Sequence, residues 1–375
     1  MPDLLPLKGI TVVELGHSVA APYTGLIFAE LGAEVIKIEK PGSGDDARGW
    51  GPPFAEGAGT MFNALNRHKK SVTIDLKAAD GVVQVRALTD EADIFVQNLR
   101  PGQAEGYGIG PAHLQSSNPR LIYASVTAYG DEGPLADRPG YDPLMQAFGG
   151  IMSVTGEQGR PSVRVGTSIV DMATGMWVVV GALAALNTRA QTGKGSVIGT
   201  SLYETALGWM AYHAPSYAVS KELPQKHGSG IFTVAPYQAF NATDGEIIVA
   251  AGNDNLFRKL AGVLGHPEWP EDARYKTNRD RVTHRVGLCG EIEKIMAGQS
   301  TTHWMEKLEA VGVPCAPVQT MDRVMSHPQT LALDILREGG EGATYFGLPL
   351  RIDGQRPGRN EPTPQLGADN ALLKK

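Results

Sequence analysis

The sequence predicts an α/β protein: a large domain with a mainly parallel, Rossmann-like sheet, plus a smaller α+β domain. Three observations support this prediction. The chain has 375 residues, enough for two domains with full hydrophobic cores. Apolar residues make up 42% of it and charged residues 20%, as in ordinary globular proteins. In the first half, β-branched runs alternate with helical patterns, as they do in βαβ units.

The first half contains five predicted strands with helical patterns between them. The strands are expected over residues 9–15, 33–38, 71–76, 92–97 and 121–126, and helices over 21–31 and 81–89. Ligands of parallel sheets bind beyond the carboxyl ends of the strands, so the loops after these strands are candidate binding loops. They start at His17, Lys40, Lys77, Asn98 and Thr127.

The middle of the chain changes to longer helical patterns. Asp171 is expected to open an apolar helix that ends near Arg189. Its apolar run, 172–186, is shorter than the roughly 20 residues that cross a bilayer, so we expect a buried helix and no membrane contact. Further elements are expected as a helix over 201–219, a flexible glycine stretch over 227–230, a strand over 245–251, and helices over 253–265 and 304–311.

These patterns divide the chain into three predicted segments. Residues 1–224 form the first part of the large domain, 225–320 form the small domain, and 321–375 return to the large domain. The tail from Leu348 is rich in proline, glycine and arginine, and we expect it to wrap a surface.

Composition excludes several functional classes. The formal net charge is −6, so there is no basic surplus for binding nucleic acid. Two cysteines cannot form a disulfide framework or a cysteine zinc site, and the nine histidines lack ligand spacing, so no metal site is expected. The first six residues lack the basic and apolar regions of a signal peptide, and a cytoplasmic location is expected.

Asp171 has two interpretations. It stands before an apolar helix, where aspartate commonly caps the free amides of the first turn. It can also act as a carboxylate nucleophile if a partly desolvated site holds it against an acyl carbon. The two roles can coexist.

Cations near the strand ends also have two interpretations. As loop charges they would be solvated; if they converge, they would bind an anionic, phosphate-rich ligand. They are Lys40, Arg48, Lys77, Arg100 and Arg138.

Several segments taken together resemble the class III CoA-transferases, also called the CaiB/BaiF or formyl-CoA transferase family. The resemblance extends over nearly the whole chain, and the run from Leu31 to Asp45 is its most specific part. The other matching segments are 7–15, 20–23, 66–71, 96–102, 139–142 and 192–195.

The resemblance implies that Asp171 is the nucleophile and that acyl-CoA is a substrate, with no tightly bound cofactor. It also implies an interlocked homodimer, a glycine loop at Gly228, Ser229 and Gly230 that closes over the covalent intermediate, and Trp50 packed near that loop. The CoA contacts it implies are His17, Ser18, Val19, Ala20, Lys40, Ile74, Lys77, Asn98, Leu99, Arg100, Tyr107 and Tyr141.

The substrate is expected to be a dicarboxylate. Segments 45–54, 234–240 and 251–255 are similar to the branch that moves CoA between succinyl-CoA and dicarboxylic acids. Arg48 and the amides around Gly228 are candidates for binding the free second carboxylate.

Three alternatives stay open. Formyl-CoA:oxalate-type transferases carry a longer glycine run, and an arginine where this chain has Gly106. The α-methylacyl-CoA racemases carry a histidine where this chain has Tyr141, and a phenol is a poor base for an α-proton. A CoA-binding protein that has lost transfer would not need Asp171.

Overall fold

The computed structural model describes residues 4–78 and 80–374. The strands are β1 Thr11–Leu15, β2 Glu34–Glu39, β3 Phe54–Ala55, β4 Ala58–Gly59, β5 Lys70–Thr73, β6 Ile94–Gln97, β7 Ile122–Thr127, β8 Val197–Ser201, β9 Tyr237–Ala242, β10 Gly245–Ala250, β11 Cys315–Pro317, β12 Leu336–Glu338 and β13 Thr344–Phe346. The α-helices are α1 Ala20–Glu30, α2 Thr60–Asn66, α3 Gly81–Asp90, α4 Gln103–Gly106, α5 Pro111–Ser117, α6 Asp142–Phe148, α7 Ile151–Val154, α8 Ile169–Thr192, α9 Leu202–Trp209, α10 His213–Ser220, α11 Asp254–Val263, α12 Asn278–Thr283, α13 Arg285–Met296, α14 Thr301–Ala310, α15 Met321–Ser326 and α16 Pro328–Ala332.

The main sheet has six parallel strands in the order β5-β2-β1-β6-β7-β8. Counting only its own strands, this is the order 3-2-1-4-5-6 of the doubly wound dinucleotide-binding folds. The order reverses between β1 and β6, and ligands of such sheets bind outside the strand ends at that point. The expected parallel α/β sheet is confirmed.

The chain divides into two compact units. The first contains the chain up to Ile151, then Val165–Tyr212, and the C-terminal part from Pro328. The second contains Met152–Arg164 and His213–His327, so it begins before the predicted small domain and takes in a separate earlier segment. Its own antiparallel sheet, β11-β10-β9, packs on helices α11, α13 and α14 through a separate hydrophobic core.

The five predicted strands of the first half are all present, each within three residues of its expected ends. A sixth strand, β8, was not predicted because it lies at the sheet edge and is half-exposed. The single helix expected over 201–219 is wrong, since the chain forms α9 and α10 with turns between them. Pro215 explains the break: it has no amide hydrogen, and its ring would clash with the carbonyl of residue 211.

Helix α8 has 24 residues, more than its apolar run indicated. By length and composition alone it could cross a membrane, but half of its most apolar window is buried in the protein. Core helices pass the same test, so this is weak evidence for a span. The helix packs closely on α1, where the Thr24 hydroxyl donates to the Gly175 carbonyl at 3.2 Å. A Cβ at Gly175 would lie 2.7 Å from the Ala20 carbonyl oxygen, so this contact needs glycine.

The C-terminal tail packs on the first unit. The Ser71 amide of β5 donates to Asp369 at 2.8 Å, and Thr73 donates to Asn370 at 2.8 Å. Leu372 and Leu373 pack on the core beneath that strand. The tail therefore covers an edge strand that would otherwise present unpaired backbone groups.

Candidate active site

Two cavities lie at the carboxyl ends of the parallel strands, both within the first unit. The larger one, about 600 Å³, is formed by the loops after β1, β2, β5 and β6. Its lining is Leu15, Gly16, His17, Ile38, Glu39, Lys40, Pro41, Gly44, Asp45, Asp46, Ile74, Asp75, Leu76, Lys77, Leu99 and Tyr107. Its position matches that of nucleotide sites in doubly wound folds.

The smaller cavity, about 340 Å³, contains Asp171. Its lining is His17, Ser18, Val19, Ala20, Asn98, Leu99, Arg100, Pro101, Gln103, Val126, Thr127, Ala128, Arg138, Pro139, Gly140, Tyr141, Asp171 and Leu202. His17 and Leu99 line both cavities, so the two adjoin there. A long ligand could occupy both.

The structure brings the expected CoA contacts and Asp171 together. Six of the twelve contacts line the larger cavity: His17, Lys40, Ile74, Lys77, Leu99 and Tyr107. The smaller cavity brings Ser18, Val19, Ala20, Asn98, Arg100 and Tyr141 to Asp171. Arg48 and Trp50 line neither cavity. The glycine stretch belongs to the second unit.

Asn98 joins the two loops at the point where the strand order reverses. Its side-chain oxygen accepts from the His17 amide at 3.1 Å, and its amide nitrogen donates to the His17 carbonyl at 2.9 Å. A single side chain therefore holds both backbone groups of His17, the residue between the two cavities.

Asp171 lies inside the first turn of α8, so the interpretation of Asp171 as the N-cap is wrong. Ser168 occupies the cap position, and its side chain makes no capping bond. The cap comes from a distant residue instead: an oxygen of Asp142 accepts from the amides of Val170, at 2.7 Å, and Asp171, at 3.1 Å. Because Asp142 satisfies these amides, the Asp171 carboxylate is left free to face the cavity.

Burial and charge both act on Asp171. The residue is 9% exposed, and its carboxylate accepts no hydrogen bond from the part of the chain that the structure describes. Burial, with a smaller contribution from the Asp142 charge, raises the pKa of Asp171 to about 7. A carboxylate whose charge is poorly solvated gains most by forming a covalent bond, which is the property a nucleophile needs.

Four cations supply unpaired positive charge to the cavities. Lys40 and Lys77 line the larger one, and Arg100 and Arg138 line the one that holds Asp171. All four are exposed, and within the described ranges none of their side chains forms an ion pair. They are therefore available to an anionic ligand.

Arg48 does not have the role expected for it. Its guanidinium pairs with Glu39 through Nε, at 2.8 Å, and Nη2, at 2.7 Å, and lies over the Phe62 ring. Nη2 also donates to the Pro364 carbonyl. With its charge neutralised inside the protein, Arg48 cannot serve as a free cation for a substrate carboxylate.

The glycine stretch is hydrogen-bonded rather than a loose linker. Gly228 has a φ of +61° and donates to the Gly156 carbonyl at 2.9 Å. The Ser229 hydroxyl oxygen accepts from the Ala239 amide. The Arg285 guanidinium then holds the carbonyls of Ile231, Phe232 and Val234.

Sequence reasoning missed two acidic residues that shape the site. Asp142 was noted only as part of a motif, and Asp45 only as part of a segment, yet the first caps Asp171 and the second holds the Ser18 amide at 3.1 Å. The contacts of Asp142 with α8 and of Asp45 with Ser18 carry no local signal, because they join residues distant in the chain. Among the described residues no three His, Cys, Asp or Glu side chains are placed to hold a metal ion.

The fold and the site define a class of protein. A doubly wound sheet carries a cavity of about 600 Å³ lined by free cations, and this cavity adjoins a second one that holds the buried Asp171 carboxylate. Such an arrangement is typical of an enzyme that binds a large anionic ligand at the strand ends. The family model of CoA-transferase family III matches residues 7–370, and the chain belongs to that family.

The relatives are CoA-transferases. The chain is 35% identical to human succinyl-CoA:glutarate CoA-transferase, over 90% of this chain and 77% of that one. It is also 35% identical to acetyl-CoA:oxalate CoA-transferase of Acetobacter aceti, over 99% and 95%. The crystal structure of a CaiB/BaiF family protein from Brucella suis matches at 37% identity, with a TM-score of 0.88 and 98% coverage of both chains. The predicted enzyme class is thus confirmed.

Proposed function

We propose that this CoA-transferase moves CoA reversibly between succinyl-CoA and a dicarboxylic acid of the size of glutarate, through an aspartyl-CoA thioester on Asp171. The observation that carries the proposal is the position of Asp171: a buried carboxylate with a raised pKa, on the wall of a cavity that adjoins the nucleotide-sized cavity. The two cavities match the two ends of an acyl-CoA.

In this proposal the nucleotide end of CoA lies in the larger cavity. Lys40 and Lys77 attract its phosphates, and Ile74 and Tyr107 supply apolar contact. The pantetheine arm passes His17 and Leu99, which line both cavities. The thioester then reaches Asp171.

The chemistry runs in four balanced steps. The Asp171 carboxylate attacks the thioester carbon of succinyl-CoA, which gives a mixed anhydride and CoA thiolate. The thiolate attacks the aspartyl carbonyl of the anhydride, which releases succinate and leaves aspartyl-CoA. The acceptor carboxylate attacks aspartyl-CoA, which gives a second anhydride and the thiolate again. The thiolate attacks the acceptor's acyl carbon, which yields acceptor-CoA and frees Asp171. Water must be excluded to protect the intermediates.

Two guanidinium groups support a dicarboxylate acceptor. Arg100 and Arg138 line the Asp171 cavity, and neither guanidinium group has a hydrogen-bond or ion-pair partner among the described residues. A guanidinium binds a carboxylate through two parallel hydrogen bonds. The human and Acetobacter relatives are named for glutarate and oxalate, both dicarboxylic acids.

The glycine stretch and a partner subunit complete the proposal. We expect residues 228–230 to shield aspartyl-CoA from water during turnover. The family resemblance implies an interlocked homodimer. The surface of α8 supports a partner subunit, because its apolar side chains Met176, Trp177, Val180 and Leu183 are 38–57% exposed.

The test is to trap the intermediate. Incubation with succinyl-CoA, followed by hydroxylamine, should convert Asp171 to a hydroxamate that peptide mass spectrometry locates. Asp171→Ala should lose both this product and CoA transfer to glutarate, while its dissociation constant for CoA stays close to that of the wild type. Transfer by a folded Asp171→Ala protein would contradict the proposal. In D₂O, α-deuteration of a 2-methylacyl-CoA without an acceptor would indicate a racemase instead.

A further inference from the structure

A buried network of charges lies next to the cavities, and the mechanism above does not use it. Glu14 and Lys37 are fully buried, and Asp45 and Lys69 are 5% exposed. The Lys37 ammonium is 2.9 Å from Glu14 and 3.0 Å from Asp45, and the Lys69 ammonium is 2.7 Å from the other Glu14 oxygen. Two positive and two negative charges therefore balance.

Burying such a network costs desolvation free energy, so a purely structural role is a poor explanation for it. Buried ion pairs are often no more stabilising than well-packed apolar side chains of the same volume. Burial alone would lower the pKa of Lys37, but the Glu14 and Asp45 carboxylates outweigh it and raise that pKa, so the ammonium stays charged. Lys37 therefore keeps its charge and the hydrogen bonds it makes, whereas burial lowers the pKa of Lys69 to about 8.

Hydrogen bonds of Lys37 and Asp45 reach the backbone of the loop Gly16–Ser18. The Lys37 ammonium donates to the Gly16 carbonyl at 2.7 Å. One Asp45 oxygen accepts from the Ser18 amide at 3.1 Å and from the Ala47 amide at 3.0 Å. Asn98 holds His17 between these two anchors, so side chains from other segments fix three consecutive residues.

The loop needs this support because Ser18 is in an unfavourable conformation. Its φ is +69°, in the left-handed region that residues with a Cβ rarely adopt. The conformation matters to the site, since His17 lines both cavities and Ser18 lines the one that holds Asp171. A relaxed Ser18 would change where a ligand lying in both cavities meets Asp171.

We propose that Asp45 and Lys37 are positioning residues, which hold the loop Gly16–Ser18 with Ser18 in the left-handed conformation and so align the thioester carbon of acyl-CoA with Asp171. The inference rests on the proposed covalent role of Asp171. It predicts that losing the anchor harms turnover more than it harms the binding of CoA.

The decisive experiment is a double-mutant cycle between Asp45 and Ser18. Asp45→Ala should lower kcat for transfer from succinyl-CoA to glutarate on the order of 10²-fold, as misplacement of reacting groups does. In the Ser18→Gly background the same change should cost less than about tenfold, because glycine adopts a positive φ without strain and needs no anchor. In both backgrounds the dissociation constant for CoA should change less than kcat. An equal loss in both backgrounds would overturn the proposal.

A conservative variant and a matched control separate positioning from stability. Asp45→Asn keeps an oxygen for the Ser18 amide and should retain more turnover than Asp45→Ala. Asp93 is the control: it too pairs with a buried cation, Arg189 at 2.8 Å, and accepts from a backbone amide, that of Thr11. Asp93→Ala should reduce stability, but its effect on kcat should not depend on residue 18. If the effect of Asp93→Ala on kcat depended on residue 18 as strongly as the effect of Asp45→Ala does, the positioning role would be contradicted.

Hydrogen exchange, measured without substrate, tests the positioning role of Asp45 independently of the proposed function. Amide hydrogen exchange in a peptide covering residues 16–18 should be faster in Asp45→Ala than in wild type, and unchanged in Asp93→Ala. If wild type fails to move CoA from succinyl-CoA to glutarate, the proposed function is wrong, while the exchange result still reports on the anchor. Unchanged exchange in Asp45→Ala would overturn the inference itself.

Discussion

At the scale of single residues, the chemistry depends on how Asp142 and Asp171 share one helix end. Asp142 takes the two amides that would otherwise stabilise a negative charge on Asp171, and adds its own charge nearby. The helix dipole favours anions at this end of α8. Asp142 takes part of that stabilisation, so less of it is available to Asp171. Asp171 is left with a charge that is poorly solvated, which suits the attack on a carbonyl carbon that we propose for it.

The pH dependence of turnover should report on this pair. Since the attacking group in the proposed mechanism is the carboxylate, kcat/KM should rise with pH and level off above about 7, the pKa to which burial and Asp142 raise Asp171. Asp142→Asn removes the charge while keeping an oxygen for the two amides, so the midpoint should move to lower pH. Gln146→Leu removes a donor to Asp142 but not its charge, and should keep the high midpoint. An unmoved midpoint in Asp142→Asn would show that the Asp142 charge does not raise the pKa of Asp171.

The free energy of unfolding should also depend on the raised pKa of Asp171. Burial and Asp142 raise the pKa of Asp171 from 3.8 to about 7, so between these values the folded protein holds a proton that the unfolded chain has released. Stability is therefore lost as pH rises through this window. Asp171→Asn should raise the free energy of unfolding at pH 8 by up to about 4 kcal/mol, and by less at pH 5. Denaturant titration of wild type and Asp171→Asn at the two pH values measures these differences. Equal gains in the free energy of unfolding at pH 5 and pH 8 would contradict the prediction.

At the scale of elements, the strands and binding loops could be predicted, because parallel strands are buried on both faces and read as β-branched runs. The loops after all five of those strands hold residues of the two cavities, among them Lys40, Lys77 and Asn98. The cap of α8 could not be predicted, since Asp142 acts across 29 residues of sequence. Nor could the pairing of Arg48 with Glu39, since a loop arginine looks the same whether it is buried or free.

The glycine stretch, residues 228–230, allows a test at the level of a single loop. Gly228 has a positive φ, and a Cβ there would meet nothing closer than Glu157 at 4.0 Å, so Gly228→Ala strains the backbone without a steric clash. If residues 228–230 shield aspartyl-CoA, this strain should raise the ratio of free CoA released to acceptor-CoA formed.

Two variants control this experiment. Gly228→Asn should stay closer to wild type, because asparagine tolerates the left-handed region. Gly262→Ala lies in α11 with open space around it and should leave the ratio unchanged. The same ratio in Gly228→Ala and wild type would show that the stretch does not shield the intermediate.

At the scale of the whole molecule, the exposed apolar surface of α8 is the reason to expect a dimer. Half of the helix's most apolar window is buried within the chain, while Met176, Trp177, Val180 and Leu183 remain exposed. A second copy of the chain would cover such a surface and keep this helix soluble without a membrane. Assembly and stability of the Asp171 helix would then be linked.

Subunit exchange should distinguish an interlocked dimer from an ordinary one. The protein should sediment at twice the chain mass of 39.9 kDa. Because interlocked chains can separate only by unfolding, two differently tagged forms mixed under native conditions should give no mixed dimer. They should give mixed dimers after joint unfolding in denaturant and refolding, a step that also serves as the control for tag compatibility. Mixed dimers that appear under native conditions would exclude interlocking, and a monomer at all concentrations would exclude the dimer altogether.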